Sequence, residues 1–157
     1  MPSATKARSD DDRPARRRAM EAFAASDAAT LAAAWDRIAG TTGATSLRGP
    51  EAGLVMLRGR IGGAGAPFNL GEASVTRASV RLASGEVGHA MVLGRDIDHA
   101  RLAAQFDAGW QRPDWRAAIE AQVIEPALCR QAAADLRSAE ETEATRVDFF
   151  TMARGDD

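Results

Sequence analysis

The sequence predicts a single α+β domain, with an antiparallel β-meander of about four strands between N-terminal helices and a helical C-terminal third. Apolar residues recur at helical spacing near both ends of the chain, as they do on the buried face of an amphipathic helix. Residues 44–93 instead contain short runs of alternating apolar and polar residues, separated by Gly and Pro, which is typical of strands and turns. The length of 157 residues suits one domain.

The N-terminal part divides into a polar segment and two helices. Residues 1–14 are polar and charged, and we expect them to be disordered because they offer little apolar surface to bury. A first helix is predicted to begin near Ala15. Ser26 or Asp27 can cap a second helix, and Gly40 is predicted to end it.

The middle block is predicted to contain strands joined by tight turns. Ser84-Gly85 lies between two alternating runs and is typical of a hairpin turn. Gly49-Pro50 is interpreted as a break between two strands, and a meander is the simplest order for neighbouring strands. The predicted strands are residues 44–49, 53–61, 72–83 and 86–93.

The last third is predicted to be helical. Asp96 can cap a helix whose apolar stripe ends near Trp110, and Pro113 suits the first position of the next helix. Pro126 is predicted to break or restart that helix, because proline lacks the N–H of a helix interior. A final helix is predicted over residues 127–144.

Composition limits what the chain can do alone. Hydrophobic residues make up 45% of it, but aromatic residues make up only 5%, so we expect a modest core that gains from contact with other chains. The net charge of −2 argues against a dedicated nucleic-acid-binding protein. The one cysteine, Cys129, is predicted to be a small buried residue. Without an apolar signal or membrane-spanning run, the chain is expected to be cytoplasmic.

The glycine-rich loop Gly62-Gly63-Ala64-Gly65 could bind an anion through its backbone N–H groups. It lacks the Gly-Lys-Ser/Thr ending of a P-loop, and position 68 is Phe68 where a dinucleotide-binding loop would need another glycine. A loop joining two strands is therefore the favoured interpretation. A stand-alone small anion-binding enzyme that uses this loop is the alternative.

Arginines follow the predicted strands at a spacing that keeps them on one side. Period-two alternation puts Arg58 and Arg60 on one face of their strand, and Arg77 and Arg81 share a face of another. If the register aligns these faces, the four guanidinium groups could bind a triphosphate or an acidic partner. A solvated sheet face is the simpler alternative.

Two further residues, Arg95 and His99, are candidates for contacts. Arg95 lies between a strand and a helix and has no evident structural need. His99 lies on the apolar stripe of its helix, where a hydrogen-bonded core or interface histidine is favoured over a general acid or base. His89 is expected to pack or to be exposed. Arg77, Arg81, Arg95 and His99 are therefore the predicted anion or interface contacts, and no residue is predicted to be catalytic or to bind a metal.

The single domain is predicted to span residues 15–145, and an extended segment follows it at residues 146–157. That segment carries large apolar side chains next to charged ones near the end of the chain. Because burying each large side chain is worth about 1.5–3 kcal/mol, we expect the segment to dock on its own domain or on a partner. Its predicted docking residues are Arg146, Phe149, Phe150, Met152 and Arg154.

The same segment carries a family resemblance. Arg146-Val147-Asp148-Phe149-Phe150-Thr151-Met152 is similar to the C-terminal end of PhnG proteins. Arg60-Ile61-Gly62-Gly63, Thr76-Arg77-Ala78 and Gly94-Arg95-Asp96 occur in the order that this family has. The chain therefore resembles the PhnG family over most of residues 50–157.

The resemblance implies a subunit of the carbon–phosphorus lyase core complex, whose other subunits are PhnH, PhnI and PhnJ, with PhnL acting alongside. That complex converts ATP and an alkylphosphonate to α-D-ribose 1-alkylphosphonate 5-triphosphate and adenine. ATP is then a substrate of the complex, and no cofactor is implied on this chain. The isolated chain is expected to be inactive, because the family's chemistry is assigned to other subunits.

Overall fold

The structure, a computed structural model, describes residues 12–60 and 65–145, and it confirms the α+β class. Two helices precede a three-stranded sheet, and a helical C-terminal third follows it. None of the helices in these two ranges is long and apolar enough to cross a bilayer. The elements are α1 (Asp12–Ala25), α2 (Ala28–Ile38), β1 (Ala44–Gly59), β2 (Phe68–Leu82), β3 (Val87–Leu93), α3 (Ile97–Trp110), α4 (Pro113–Ile119) and α5 (Glu125–Ala144), with a π-helical turn (Glu120–Ile124) between the last two.

The N-terminal helices begin close to the predicted positions. Helix α1 begins at Asp12, so residues 12–14 are helical instead of belonging to the expected disordered segment. Asp27 caps α2, because its carboxylate accepts hydrogen bonds from the Thr30 backbone N–H at 2.8 Å and from the Thr30 hydroxyl at 2.6 Å. Ser26 is not the cap, since its hydroxyl donates to the Ala22 carbonyl.

The sheet has the order β1-β2-β3 and is antiparallel throughout. The predicted count of about four strands is wrong by one, because residues 44–49 and 53–61 belong to one continuous strand β1. Its pairing with β2 shifts register between Ser46 and Arg48 and again between Arg48 and Glu51. These irregularities accommodate Gly49-Pro50 within the strand. From the sequence alone, the same two residues are interpreted as a break between two strands.

The turn between β2 and β3 forms as predicted. Gly85 has a φ of 106°, which favours glycine, and its N–H donates to the Leu82 carbonyl at 2.9 Å. The close approach of β3 to helix α3 also depends on a glycine. A Cβ at Gly88 would lie 2.0 Å from the Ala104 carbonyl oxygen and 2.4 Å from the Ala108 nitrogen.

Helix α3 lies at the centre of the core and is buried over most of its length. It covers the face of β2 that carries alternate buried residues, as the period of two requires. Its Phe106 ring packs against Phe23 of α1 with centroids 5.5 Å apart and against Trp35 of α2 with centroids 5.2 Å apart. Two layers, one sheet and one set of helices, therefore share a single core.

The C-terminal helices form a near-continuous path. Pro113 occupies the first turn of α4 as predicted, and α5 restarts at Glu125 with Pro126 in its first turn. Every residue from Cys129 to Thr145 is exposed. These residues, which we call the outer part of α5, project from the body, meaning the sheet and the helices that share its core. The expectation of a buried Cys129 is therefore wrong, because the helix face that carries it has nothing packed against it in the described part of the chain.

Candidate functional site

A shallow cavity of about 240 Å³ lies where helix α1 meets all three strands. Its lining includes Met20, Arg48, Arg77, His89 and Met91. Within the described residues, this cavity brings two guanidinium groups and a histidine together. The polar side chains that line this cavity are therefore the first candidate for a functional surface.

Glu51 holds two of the arginines. Its Oε1 accepts from Arg48 Nε at 3.0 Å and from Arg77 Nε at 2.8 Å. The hydrogen bond from Arg48, followed by that from Arg77, lowers the pKa of the Glu51 carboxyl from its ordinary value. All three side chains are exposed, so these ion pairs position the arginines more than they stabilise the fold.

His89 lies at the other side of the cavity and links it to the core. Its Nδ1 is 2.9 Å from the Ser79 hydroxyl, and its backbone N–H donates to Asp107 Oδ2 at 2.8 Å. Asp107 also accepts from Arg16 Nε at 2.7 Å and from Arg16 Nη2 at 2.6 Å. The hydrogen bond to Asp107 raises the pKa of Arg16, and the contact ties α1, β3 and α3 together.

The Arg16–Asp107 pair was not predicted from the sequence, although a signal existed. Asp107 lies between Phe106 and Trp110 on a helix with an apolar stripe, and a carboxylate buried there needs a cation. Arg16 lies two turns before Phe23 on α1. Arg16 lies inside the predicted first helix, but no local signal in the sequence pairs it with a carboxylate 91 positions away.

The strand register separates the predicted arginine surface into parts. Arg58 pairs with Asn69, whereas Arg77 pairs with Glu51 and Arg81 with Thr45. At ~3.3 Å per residue, Asn69 lies roughly 40 Å along β2 from Arg81. The four guanidinium groups considered together in the sequence therefore do not line one surface.

Two of the predicted contact residues remain available on the surface. Arg81 is exposed beside Val87 of β3, and Arg95 is exposed between β3 and α3. Neither guanidinium group forms an ion pair or hydrogen bond with the residues in ranges 12–60 and 65–145. No hydrogen bond or ion pair among the described residues joins any two of the predicted contacts Arg77, Arg81, Arg95 and His99.

His99 has a role within the body. Its Nε2 lies 3.0 Å from the Phe23 carbonyl oxygen near the end of α1, and its backbone N–H donates to the Asp96 cap at 2.9 Å. The residue is half-buried. This contact agrees with the favoured interpretation of His99 as a hydrogen-bonded histidine that joins two elements.

Beyond the cavity, β1 and β2 continue as a two-stranded ribbon, which we call the arm and define as residues 53–59 and 68–74. All of its residues are exposed or half-buried. A two-stranded ribbon is marginally stable on its own, and apolar patches that stay exposed mark interaction surfaces. Its exposed large apolar residues are Leu54, Met56, Leu57, Phe68 and Leu70.

Parts of the predicted sites lie outside the described residues. They are residues 62–64 of the glycine-rich loop and the whole docking segment 146–157. Among the residues that the structure does describe, no group of three or more His, Cys, Asp or Glu is arranged to hold a metal ion.

Comparison with known proteins gives one consistent family. The family model described as "Phosphonate metabolism protein PhnG" matches residues 14–155. A curated protein from Rhizobium meliloti (strain 1021), "Alpha-D-ribose 1-methylphosphonate 5-triphosphate synthase subunit PhnG", is 52% identical over 157 residues, which is 100% of both chains. Both matches cover the described residues from Pro14 onward and extend into residues 146–157, and the chain belongs to the PhnG family.

Proposed function

We propose that the chain is a subunit of α-D-ribose 1-methylphosphonate 5-triphosphate synthase in the cytoplasmic carbon–phosphorus lyase core complex. The relative with which it shares 52% identity over its full length is named as a subunit of that synthase. The geometric observation that carries the proposal is the pair of projections, the arm and the outer part of α5. Each leaves most of its surface uncovered, as a subunit does before assembly.

In this proposal, the chain supports the chemistry of the complex without supplying a catalytic residue. The complex converts ATP and an alkylphosphonate to α-D-ribose 1-alkylphosphonate 5-triphosphate and adenine. ATP is its substrate, and PhnH, PhnI and PhnJ are the partners, with PhnL acting alongside. The word "triphosphate" in the name of the relative supports ATP as the source of that group.

Helix α5 and the segment after it are proposed to form one docking element. The helix is exposed from Cys129 to Thr145, and an isolated helix of this length is marginal in water without packing. The segment 146–157 follows directly, and Phe149 and Phe150 give it apolar side chains that gain from burial. We propose that it docks on PhnI or PhnJ.

Co-expression tests this function. The tagged chain, expressed with PhnH, PhnI and PhnJ, is expected to purify with all three, and the purified complex is expected to release adenine from ATP when PhnL and methylphosphonate are present. A chain that purifies alone would contradict the proposal. Deleting residues 146–157 is expected to lower the yield of the complex while the body stays folded, and an unchanged yield would show that the segment does not dock.

The surface arginines are proposed to contact anionic substrate or an acidic partner. Arg81 and Arg95 support this best, because both are exposed and unpaired within the described residues. Arg81→Ala and Arg95→Ala are expected to lower adenine release or assembly of the complex. His99→Ala is a poorer test, since it also removes the contact with Phe23. Unchanged release and assembly in both arginine variants would argue against these contacts.

A further inference from the structure

The arm carries apolar residues on both of its faces. Leu54 and Met56 pair with Ser74 and Glu72, which lie on the same face of β2 as the buried Thr76. Directly opposed residues share a face, so Leu54 and Met56 extend the face that helix α3 covers nearer the base. They are 62% and 53% exposed there, because the helical layer begins only near Thr76, whose hydroxyl donates to the Gly94 carbonyl.

The opposite face is apolar as well. Leu57 alternates with Met56 and is 45% exposed on the other side of the ribbon. The register shift after Leu57 leaves Leu70 without a direct partner on β1. A Cβ at Gly59 would lie 2.4 Å from Leu70 Cδ1, so Leu70 lies over Gly59 on the same side as Leu57.

A ribbon that is apolar on both faces gains little by lying on one flat surface, since the other face would stay in water. It is about 10 Å wide, which is two strand spacings, and its six residue pairs extend roughly 20 Å. Two charged side chains lie on the arm: Arg58 pairs with Asn69, and Glu72 pairs with Met56 among the apolar residues. The Glu72 carboxylate makes no hydrogen bond or ion pair with the rest of the described chain.

We infer that the arm inserts into an apolar groove of another subunit of the synthase, whose two walls cover both of its faces and whose Arg or Lys binds Glu72. This inference rests on the proposed function for the existence of that subunit. The chemistry of the groove follows from the side chains of the arm. Apolar walls would cover Leu54 and Leu57, and a cation would pair with the Glu72 carboxylate. Such a pair is stronger when it is shielded from water than on an open surface.

The test uses the co-expressed complex and single aspartate substitutions in the tagged chain. Leu54→Asp and Leu57→Asp, on opposite faces, are each expected to weaken association by at least about tenfold, as for residues at the centre of an interface. Leu47→Asp is the matched control. Leu47 lies on the same strand outside the arm, and its 46% exposure is close to that of Leu57, so association is expected to be retained.

Glu72 provides a charge test that leaves the apolar surface intact. Glu72→Arg is expected to weaken association more than Glu72→Gln, because reversal adds repulsion to the loss of the ion pair. Circular dichroism and thermal melting of each variant alone are expected to match the unsubstituted chain, since the substituted side chains are exposed. If Glu72→Arg associates as well as the unsubstituted chain, the proposed Arg or Lys that binds Glu72 is overturned.

Other outcomes separate this inference from the function on which it rests. If the unsubstituted chain does not purify with the synthase subunits, both fail. If the unsubstituted chain purifies with the subunits, and Leu54→Asp and Leu57→Asp do so equally well, only the inference that the arm inserts into a groove is overturned. Weakening by Leu54→Asp alone would replace the groove with a single covering surface. A photo-crosslinker at Leu70 is expected to label another subunit, and labelling of a second copy or of residues 146–157 would overturn the assigned occupant.

Discussion

Arg16 of helix α1 donates two hydrogen bonds to the buried carboxylate of Asp107 on helix α3. The Arg16 side chain is 20% exposed and the Asp107 side chain 1% exposed, so the pair is largely shielded from water. Asp107 also accepts the backbone N–H of His89 on the edge strand β3. One carboxylate therefore fixes the position of the first helix against both the sheet and the central helix.

Arg16→Ala is expected to destabilise the body strongly, because it leaves the Asp107 charge buried without its cation. Removing one partner of a buried ion pair costs about 3 kcal/mol or more. Urea denaturation, followed by the fluorescence of the buried Trp110, measures this change in the free energy of unfolding.

Arg17→Ala, on the next residue of the same helix, is the control. Arg17 pairs with Glu21, and these side chains are 83% and 60% exposed, so the loss is expected to be within about 0.5 kcal/mol. Equal losses for the two variants would show that burial of Asp107 does not govern the effect.

Gly88→Ala is expected to disrupt the contact between β3 and α3. The new methyl group would overlap the Ala104 carbonyl and the Ala108 nitrogen of the helix backbone, which cannot move aside as a side chain can. Overpacking of this kind costs roughly 1–3 kcal/mol or more, measurable by thermal melting. Gly43→Ala has nothing within 4 Å of the new methyl group, and the same measurement is expected to show little change. A Gly88→Ala variant as stable as the control would contradict the close approach.

Signals that act between near neighbours were predicted correctly from the sequence. Asp27 caps α2 and Gly85 forms the turn between β2 and β3, because a side-chain cap or a positive φ depends on a few adjacent residues. Pro113 begins α4 for the same reason.

Features that depend on distant pairing were not predicted. Gly49-Pro50 lies within β1 because β2 holds the strand on both sides of it, and no local signal in the sequence encodes that pairing. Likewise, the apolar residues near Cys129 favour burial, but α5 already projects from the body at that position, so Cys129 is exposed.

The candidate surfaces show the same difference between local signals and features that depend on distant pairing. Arg81 and Arg95 were identified as surface candidates from their strand and junction positions, and both are exposed. The separation of Arg58 from Arg81 and the two apolar faces of the arm depend on the strand register, including the shift after Leu57. Alternation along one strand cannot supply the register between two strands.

The cap of α2 predicts a specific dependence on pH. The hydrogen bond from the Thr30 hydroxyl, followed by that from the Thr30 backbone, lowers the pKa of Asp27 below its ordinary value of 3.8. A lowered folded-state pKa means that the stabilisation is present above pH 3.8 and is lost as the pH falls through the folded-state pKa. Asp27→Asn keeps a capping side chain without a charge, so the stability difference between this variant and the unsubstituted chain is expected to shrink on acidification below pH 3.8.

Asp27→Ala removes the cap itself and is expected to cost about 1 kcal/mol at neutral pH. Urea denaturation of the unsubstituted chain and both Asp27 variants, at neutral pH and at several acidic pH values, measures both effects. If the stability difference between the unsubstituted chain and Asp27→Asn stays constant with pH, the carboxylate charge does not contribute to the cap.

The outer part of α5 is expected to serve association and not the stability of the body. Ala134→Pro places proline in its interior, where the ring and the missing N–H disrupt about a turn of helix. Because every residue from 129 to 145 is exposed, this part of the helix can open without the body, and the free energy of unfolding of the body is expected to change little. The fluorescence of Trp35 and Trp110, which are buried in the body, measures that quantity.

Co-purification of Ala134→Pro with the synthase subunits is expected to fall sharply, because the disrupted helix no longer presents a continuous surface to a partner. Ala134→Ser keeps the helix, since serine retains the backbone N–H, and it is expected to retain co-purification. A loss of body stability in Ala134→Pro would mean that α5 supports the fold. Full co-purification of the same variant would mean that the partners do not bind this helix, and the docking element would then be confined to residues 146–157.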